Sequence, residues 1–75
     1  MKELVEYIAK ALASKPEDVV VVESEEGGQT VLRLEVADED KGKIIGRRGR
    51  VAQSIRSLLR VAAVKEGTKV ILEIV

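Results

Sequence analysis

Two glycines bracket two arginines in the run Lys43-Ile44-Ile45-Gly46-Arg47-Arg48-Gly49-Arg50-Val51. Glycine tolerates positive φ and lets a ligand's backbone approach with no Cβ in the way. An arginine guanidinium is planar and permanently charged, and its forked donors match phosphate oxygens. An apolar pair leads into the run and an amphipathic pattern leaves it, which predicts a tight turn between two helices. The N–H groups opening the second helix, those of Arg50 and Val51, are expected to lack internal partners and to carry the positive end of the helix dipole. The chemistry this points to is a grip on a sugar-phosphate backbone.

Bond-making chemistry finds little support. The chain has no His and no Cys, which removes the commonest general base, thiol nucleophile and soft metal ligands. Four serines remain with no His to activate them. The glycine turn lacks the G-x-x-x-x-G-K-[S/T] of a phosphate-binding P-loop, and the acids form no convincing pair. No enzyme activity, cofactor or metal is expected.

Charge sharpens the point. Thirteen basic and thirteen acidic residues cancel overall, but they are segregated. Residues 1–40 carry four Lys/Arg against eleven Asp/Glu, a net of −7, whereas residues 41–60 carry seven Lys/Arg and no acid, a net of +7. A neutral chain can therefore present one concentrated cationic surface. Tyr7 is the only aromatic residue, which excludes the stacking platforms of RRM, OB-fold and cold-shock surfaces.

The elements that must hold the turn follow from periodicity. Residues 2–14 place Leu4, Val5, Ile8, Ala11 and Leu12 on one helical stripe, and Pro16 stops the helix. The β-branched run Val19–Val22 reads as a strand, Glu25–Gln29 as a hairpin loop, and Thr30–Val36 as the returning strand with Leu32, Leu34 and Val36 toward the core. Asp38 is placed to cap a short helix from Glu39 to about Ile45, with Gly42 inside it. After the turn, Val51, Ile55, Leu58, Leu59 and Ala62 form an apolar face opposite Gln53, Arg56, Ser57 and Arg60, and the helix ends near Gly67. Thr68–Val75 alternates as a third strand. The predicted class is α+β in the order α-β-β-α-α-β: a three-stranded mixed sheet covered on one face by three helices.

The uncovered face suggests a second reading. Val31, Ile71 and Val75, with either Val19 and Val21 or Val20 and Val22, could form an apolar patch of the kind found at interfaces. On that reading the chain is a protein-interaction or dimerisation module in which nucleic-acid binding is secondary. No apolar run approaches the ~20 residues a membrane span needs, and the start of the chain lacks a signal peptide's apolar region. A soluble cytoplasmic protein is expected.

The run Ile44–Val51 with Ile55, set in this element order, resembles the core of a KH (K-homology) domain of type II, the prokaryotic form. The whole chain is similar to the small single-KH-domain bacterial RNA-binding proteins of the KhpA family. The resemblance implies one KH domain over residues 1–75, with a minimal core at about 30–75 and a helix–strand extension at 1–29. It implies a cleft for about four single-stranded nucleotides whose backbone the glycine loop clamps. By position, Gly46, Arg47, Arg48 and Gly49 are the clamp, Ile44 and Ile45 contribute to an apolar groove floor, and Lys43 and Arg50 flank the phosphates. The implied partners are single-stranded RNA, with single-stranded DNA left open, and a second KH chain in a homodimer or heterodimer. The strand and hairpin would form the groove's other wall. Since that hairpin is acidic, phosphate is expected to be held from the loop side only.

Overall fold

The computed structural model describes all 75 residues. Its sheet is built outward from the strand richest in buried aliphatics. Strand β1 (Val20–Glu26) turns through Gly27 and Gly28 into β2 (Gln29–Glu35). Both glycines have positive φ, 59° and 79°, as a two-residue turn matched to strand twist requires. The hairpin loop is therefore two residues long, shorter than expected, because Glu25, Glu26 and Gln29 all pair within the ladder. β2 is central: it pairs antiparallel with β1 and parallel with β3 (Val70–Ile74), with Leu32 opposite Leu72.

Register assigns the faces. Val21, Leu34 and Ile74 share one row on the core side, and Leu32 and Leu72 lie in the next. Helices α1 (Lys2–Leu12), α2 (Lys41–Ile45) and α3 (Arg50–Glu66) contribute Val5 and Ala9, Ile44, and Ile55 and Leu59 to the same core. Helix α1 ends two residues before the expected 14. Its buried positions are Val5 and Ala9, while Leu4, Ala11 and Leu12 stay exposed. Pro16 opens a single 3-10 turn, Pro16–Asp18, before β1.

Two expectations are corrected. Asp38 caps nothing; it opens a 3-10 turn, Asp38–Asp40, that leads into α2. Helix α3 is rotated relative to the expected stripe: it buries Ala52, Ile55, Leu59 and Ala63, and leaves Leu58 53% exposed. Alanines on the buried side let the helix approach closely, and the larger Leu58, Val61 and Val64 face outward. The helix closes on Gly67 in the left-handed region, with Thr68 N–H donating to the Ala63 carbonyl at 2.9 Å, a glycine C-terminal motif.

The face without helices carries Val20 and Val22, not Val19 and Val21. It is not a continuous apolar patch. Val22, Arg33 and Glu73 form one cross-strand row, with Arg33 and Glu73 paired at 3.1 Å, and Glu35 lies beside Val20 in the next. These charges separate the valines of β1 from Ile71 and Val75, while Val31 is already buried within the central strand.

The connection between α2 and α3 is the tightest point in the chain. Gly46 has φ 79° and ψ 171°, a region essentially reserved for glycine. A Cβ there would stand 2.8 Å from Val51 Cβ and 2.9 Å from Val51 N. Gly42 has open space around it. Replacing Gly46 by Ala should therefore cost about 3 kcal/mol or more from backbone strain plus the Val51 clash, whereas Gly42→Ala should stabilise by up to about 1 kcal/mol. Urea denaturation of both variants checks this; similar midpoints for the two would refute it.

Candidate nucleic-acid interface

Helix α2 delivers the chain to the loop, with Gly46 N–H donating to Gly42 O at 2.8 Å. A 3-10 turn, Arg47–Gly49, follows, closed by Gly49 N–H to Gly46 O at 3.1 Å. Arg48 (φ 58°, ψ 25°) and Gly49 (φ 72°, ψ 13°) are both left-handed. Arg48 is the only non-glycine residue in the chain with positive φ, a conformation costing an L-residue roughly 1–2 kcal/mol. Glycine would sit there freely, yet an arginine holds the place. Arg50 N–H donates to the Arg47 carbonyl, so it is not free, contrary to expectation. No side chain caps α3.

The expected site residues separate by burial. Arg47, Arg48 and Arg50 are exposed and Gly46 and Gly49 half-buried. Ile44 is completely buried in the core, so of the pair assigned to a groove floor only Ile45, 41% exposed, offers surface. Lys43 is tied back: its Nζ contacts Ser14 Oγ and lies 3.7 Å from Asp40 Oδ1.

Ion pairing divides the cations sharply. Every Lys and Arg from Lys10 to Lys43 has an acidic partner: Lys10 with Glu6, Lys15 with Glu39, Arg33 with Glu73, Lys41 with Asp38 and Lys43 with Asp40. From Arg47 onward no cation has one. Arg56 and Arg60, spaced i,i+4 on α3, even repel each other at a cost of a few tenths of a kcal/mol.

These two arginines border an open groove between α3 and β3, of about 510 Å³. Leu59, Ala63, Val64 and Ile71 give it apolar walls, and Lys69 and Gln29 stand at its far end. The acidic hairpin is not opposite the loop. Thr30 N–H donates to Lys69 O at 2.9 Å, which puts the hairpin beside the start of β3 and the C-terminal end of α3. The loop lies at the other end of that 17-residue helix, about 25 Å away at 1.5 Å per residue. Lys69 was not singled out from sequence because it falls in the charge-balanced tail.

Comparison with known proteins places the sequence in a family. The family described as "KhpA/KhpB, KH domain" matches residues 2–74. The chain belongs to the KhpA/KhpB KH-domain family. It is 52% identical to the RNA-binding protein KhpA of Clostridium perfringens over 75 residues, the full length of both chains. It is 49% identical over the full length of both to the RNA-binding protein KhpA of Caldanaerobacter subterraneus subsp. tengcongensis. The KhpA of Treponema pallidum is 45% identical over 99% of this chain and 92% of its own. No helix of the structure is long and apolar enough to cross a membrane.

In this KH chain the element that fixes α2, and with it the loop, is an acid that the sequence pattern placed on a helix start. Asp40 is fully buried. Its Oδ1 accepts from Ser14 N–H and its Oδ2 from Lys15 N–H, each at 3.0 Å, stitching the end of α1 to the start of α2. The Ser14 and then the Lys15 backbone bonds hold its carboxyl below the usual aspartate range, against the opposing effect of burial and with help from Lys43. A lowered folded pKa means that this contribution is intact above the unfolded value, about 3.9, and is lost as pH falls through the folded value. Asp40→Asn should flatten the acid limb of stability against pH and leave the neutral-to-alkaline shape unchanged. Thermal melts across pH 2–7 would contradict the assignment if wild type and variant lost stability in parallel.

Proposed function

We propose that this chain is a single-stranded RNA-binding protein that grips the sugar-phosphate backbone with Gly46-Arg47-Arg48-Gly49, and acts as an RNA chaperone or post-transcriptional regulator. The observation that carries this reading is Arg48, a strained, exposed, unpartnered arginine between two conformationally required glycines. Backbone strain of this kind persists where a function uses it. With Arg47 beside it and Arg50 at the helix start, three full charges converge on one turn, and relatives of equal length are named RNA-binding proteins. Ile45 provides an aliphatic contact for a base, and the open space at Gly42 lets a backbone pass. Lys43 reaches phosphate by leaving Ser14 and Asp40.

If three to four phosphates are neutralised, log affinity against log salt should fall with a slope of roughly −2 to −3 for a single strand. The double replacement Arg47→Asp/Arg48→Asp should reduce RNA binding at least a hundredfold in fluorescence anisotropy while circular dichroism stays unchanged. Normal RNA binding by that folded variant would falsify the loop reading.

A single four-nucleotide groove binds weakly, and joining two raises avidity through effective concentration. We infer that the chain pairs with itself or with a second KH-domain protein. The exposed Leu58 and Val61 on the outer side of α3 support this, as does a family that spans KhpA and KhpB. Light scattering should show a dimer for wild type and a monomer for Leu58→Glu. A strictly monomeric wild type at high micromolar concentration would sink the homodimer.

A further inference from the structure

Four cations lie between Lys43 and Arg50, and Lys43 alone among them has an acidic partner. Helical side chains lean toward the N-terminus of their own helix, and in Lys43 two oxygens complete that lean. Its Nζ meets Ser14 Oγ and lies 3.7 Å from Asp40 Oδ1. Asp40 precedes α2 and Gly46 follows it, so the ammonium is drawn to the end of the helix away from the loop. That helix is five residues long, about 7.5 Å of axis. The side chain is still half exposed, and it is free to swing toward a phosphate at the loop once those contacts are released.

The two oxygens differ in what else they do. Asp40 is fully buried, and its carboxylate fastens α2 to α1 through the Ser14 and Lys15 N–H groups. It cannot be removed without disturbing the fold. The Ser14 hydroxyl is exposed and stands outside that staple, because Ser14 reaches Asp40 with its backbone N–H. Among the influences that hold the Asp40 carboxyl low, the hydroxyl comes after both backbone bonds and after Lys43. Its main bond is therefore to Lys43, 29 residues away, and a charged donor strengthens such a bond.

We propose that Ser14 is a positioning residue for RNA binding: its hydroxyl holds the Lys43 ammonium back beside Asp40, and the strand gains its Lys43 contact only by breaking that hold. This rests on the reading of Gly46-Arg47-Arg48-Gly49 as the primary grip. Phosphate and Ser14 compete for one ammonium, so the fraction of chains with Lys43 released scales the apparent affinity. The N-terminal extension, with no phosphate contact of its own, thereby sets how tightly the loop-bearing half binds.

The test is a double-mutant cycle on the full chain, read by fluorescence anisotropy with a labelled octauridylate across a salt series. Ser14→Ala should tighten binding about two- to tenfold, the fold-change one net hydrogen bond is worth. Its melting temperature should stay at the wild-type value, since the backbone bond to Asp40 survives. Ser14→Thr keeps the hydroxyl and should not show the gain. Lys43→Gln should weaken binding and flatten the salt slope by about 0.7, the loss of one phosphate contact. In the Lys43→Gln background, Ser14→Ala should have no effect beyond about 0.5 kcal/mol, the limit for independent sites, or about twofold. A Ser14→Ala variant that binds no tighter than wild type would overturn the proposal, as would an equal gain with and without Lys43. An unchanged affinity and slope for Lys43→Gln also overturns it, since no contact would then be held in reserve. Arg47→Asp/Arg48→Asp in the same titration separates this from the grip itself. If that variant loses binding while Ser14→Ala gains nothing, the hold is refuted and the loop grip stands. If binding survives it and the Lys43-dependent gain remains, the loop grip alone is refuted.

Discussion

The missing side chain at Gly46 is the constraint on which the site depends. Helices α2 and α3 meet so closely that Val51 occupies the space where a Cβ would be. That contact fixes the direction in which α3 leaves. Immediately before the elbow Ile44 is locked in the core, and immediately after it Ala52 and Ile55 are. With both arms anchored by burial, the three residues between Gly46 and Arg50 have no inward route, and their side chains project into water. Two arginines there cost almost no desolvation, and they stand at full charge over a helix start that already favours anions.

A second consequence concerns α2, which at five residues is far too short to be stable in isolation. It is held by Ile44 beneath and by the Asp40 carboxylate reaching the backbone of Ser14 and Lys15. The N-terminal helix and strand are thus not an appendage to the loop-bearing half. They supply the two backbone donors that satisfy the one buried charge, and Val5 and Ala9 complete the core under the same elbow. An unsatisfied buried carboxylate would be costly; here both oxygens are bonded, and no buried polar side-chain atom is left without a partner.

How much of this was legible follows from whether the determinants were local. The hairpin was, since paired glycines between β-branched runs leave few alternatives, and Leu32 and Leu34 alternate cleanly into the core. The turn was legible because the two glycines that its conformation requires are written in the same four residues. The rotation of α3 was not. Apolar side chains occupy Val51, Ala52, Ile55, Leu58, Leu59, Val61, Ala62, Ala63 and Val64, which is more than one face, so periodicity could not choose between Leu58 and Ala52. The sheet chose, because close approach admits the smaller residue. Asp40 was illegible for another reason: its partners lie 25 and 26 residues away in sequence, and only the closed fold brings them together. The tie of Lys43 to Ser14 and Asp40 was hidden by the same long-range closure, and the burial of Ile44 because an apolar pair at a helix end does not announce which member faces inward.

The hairpin's position bears on how a chain of zero net charge would attract the polyanion proposed as its ligand. An acidic wall facing the loop would cancel its field at the point of contact. The parallel pairing of β2 with β3 instead sends the hairpin to the C-terminal end of α3, along a molecule 34 Å in its longest dimension. The separation of about 25 Å is well beyond the Debye length of about 8 Å at physiological salt. At that distance the acids of the hairpin are screened from the arginines of the loop, while Glu39, Asp38 and Asp40, just ahead of α2 in the chain, are paired with Lys15, Lys41 and Lys43. Arg47, Arg48 and Arg50 are left as the unpaired cations at the loop. Net charge averages over this segregation, and the topology of one strand pairing keeps the acids of the hairpin apart from the cations of the loop.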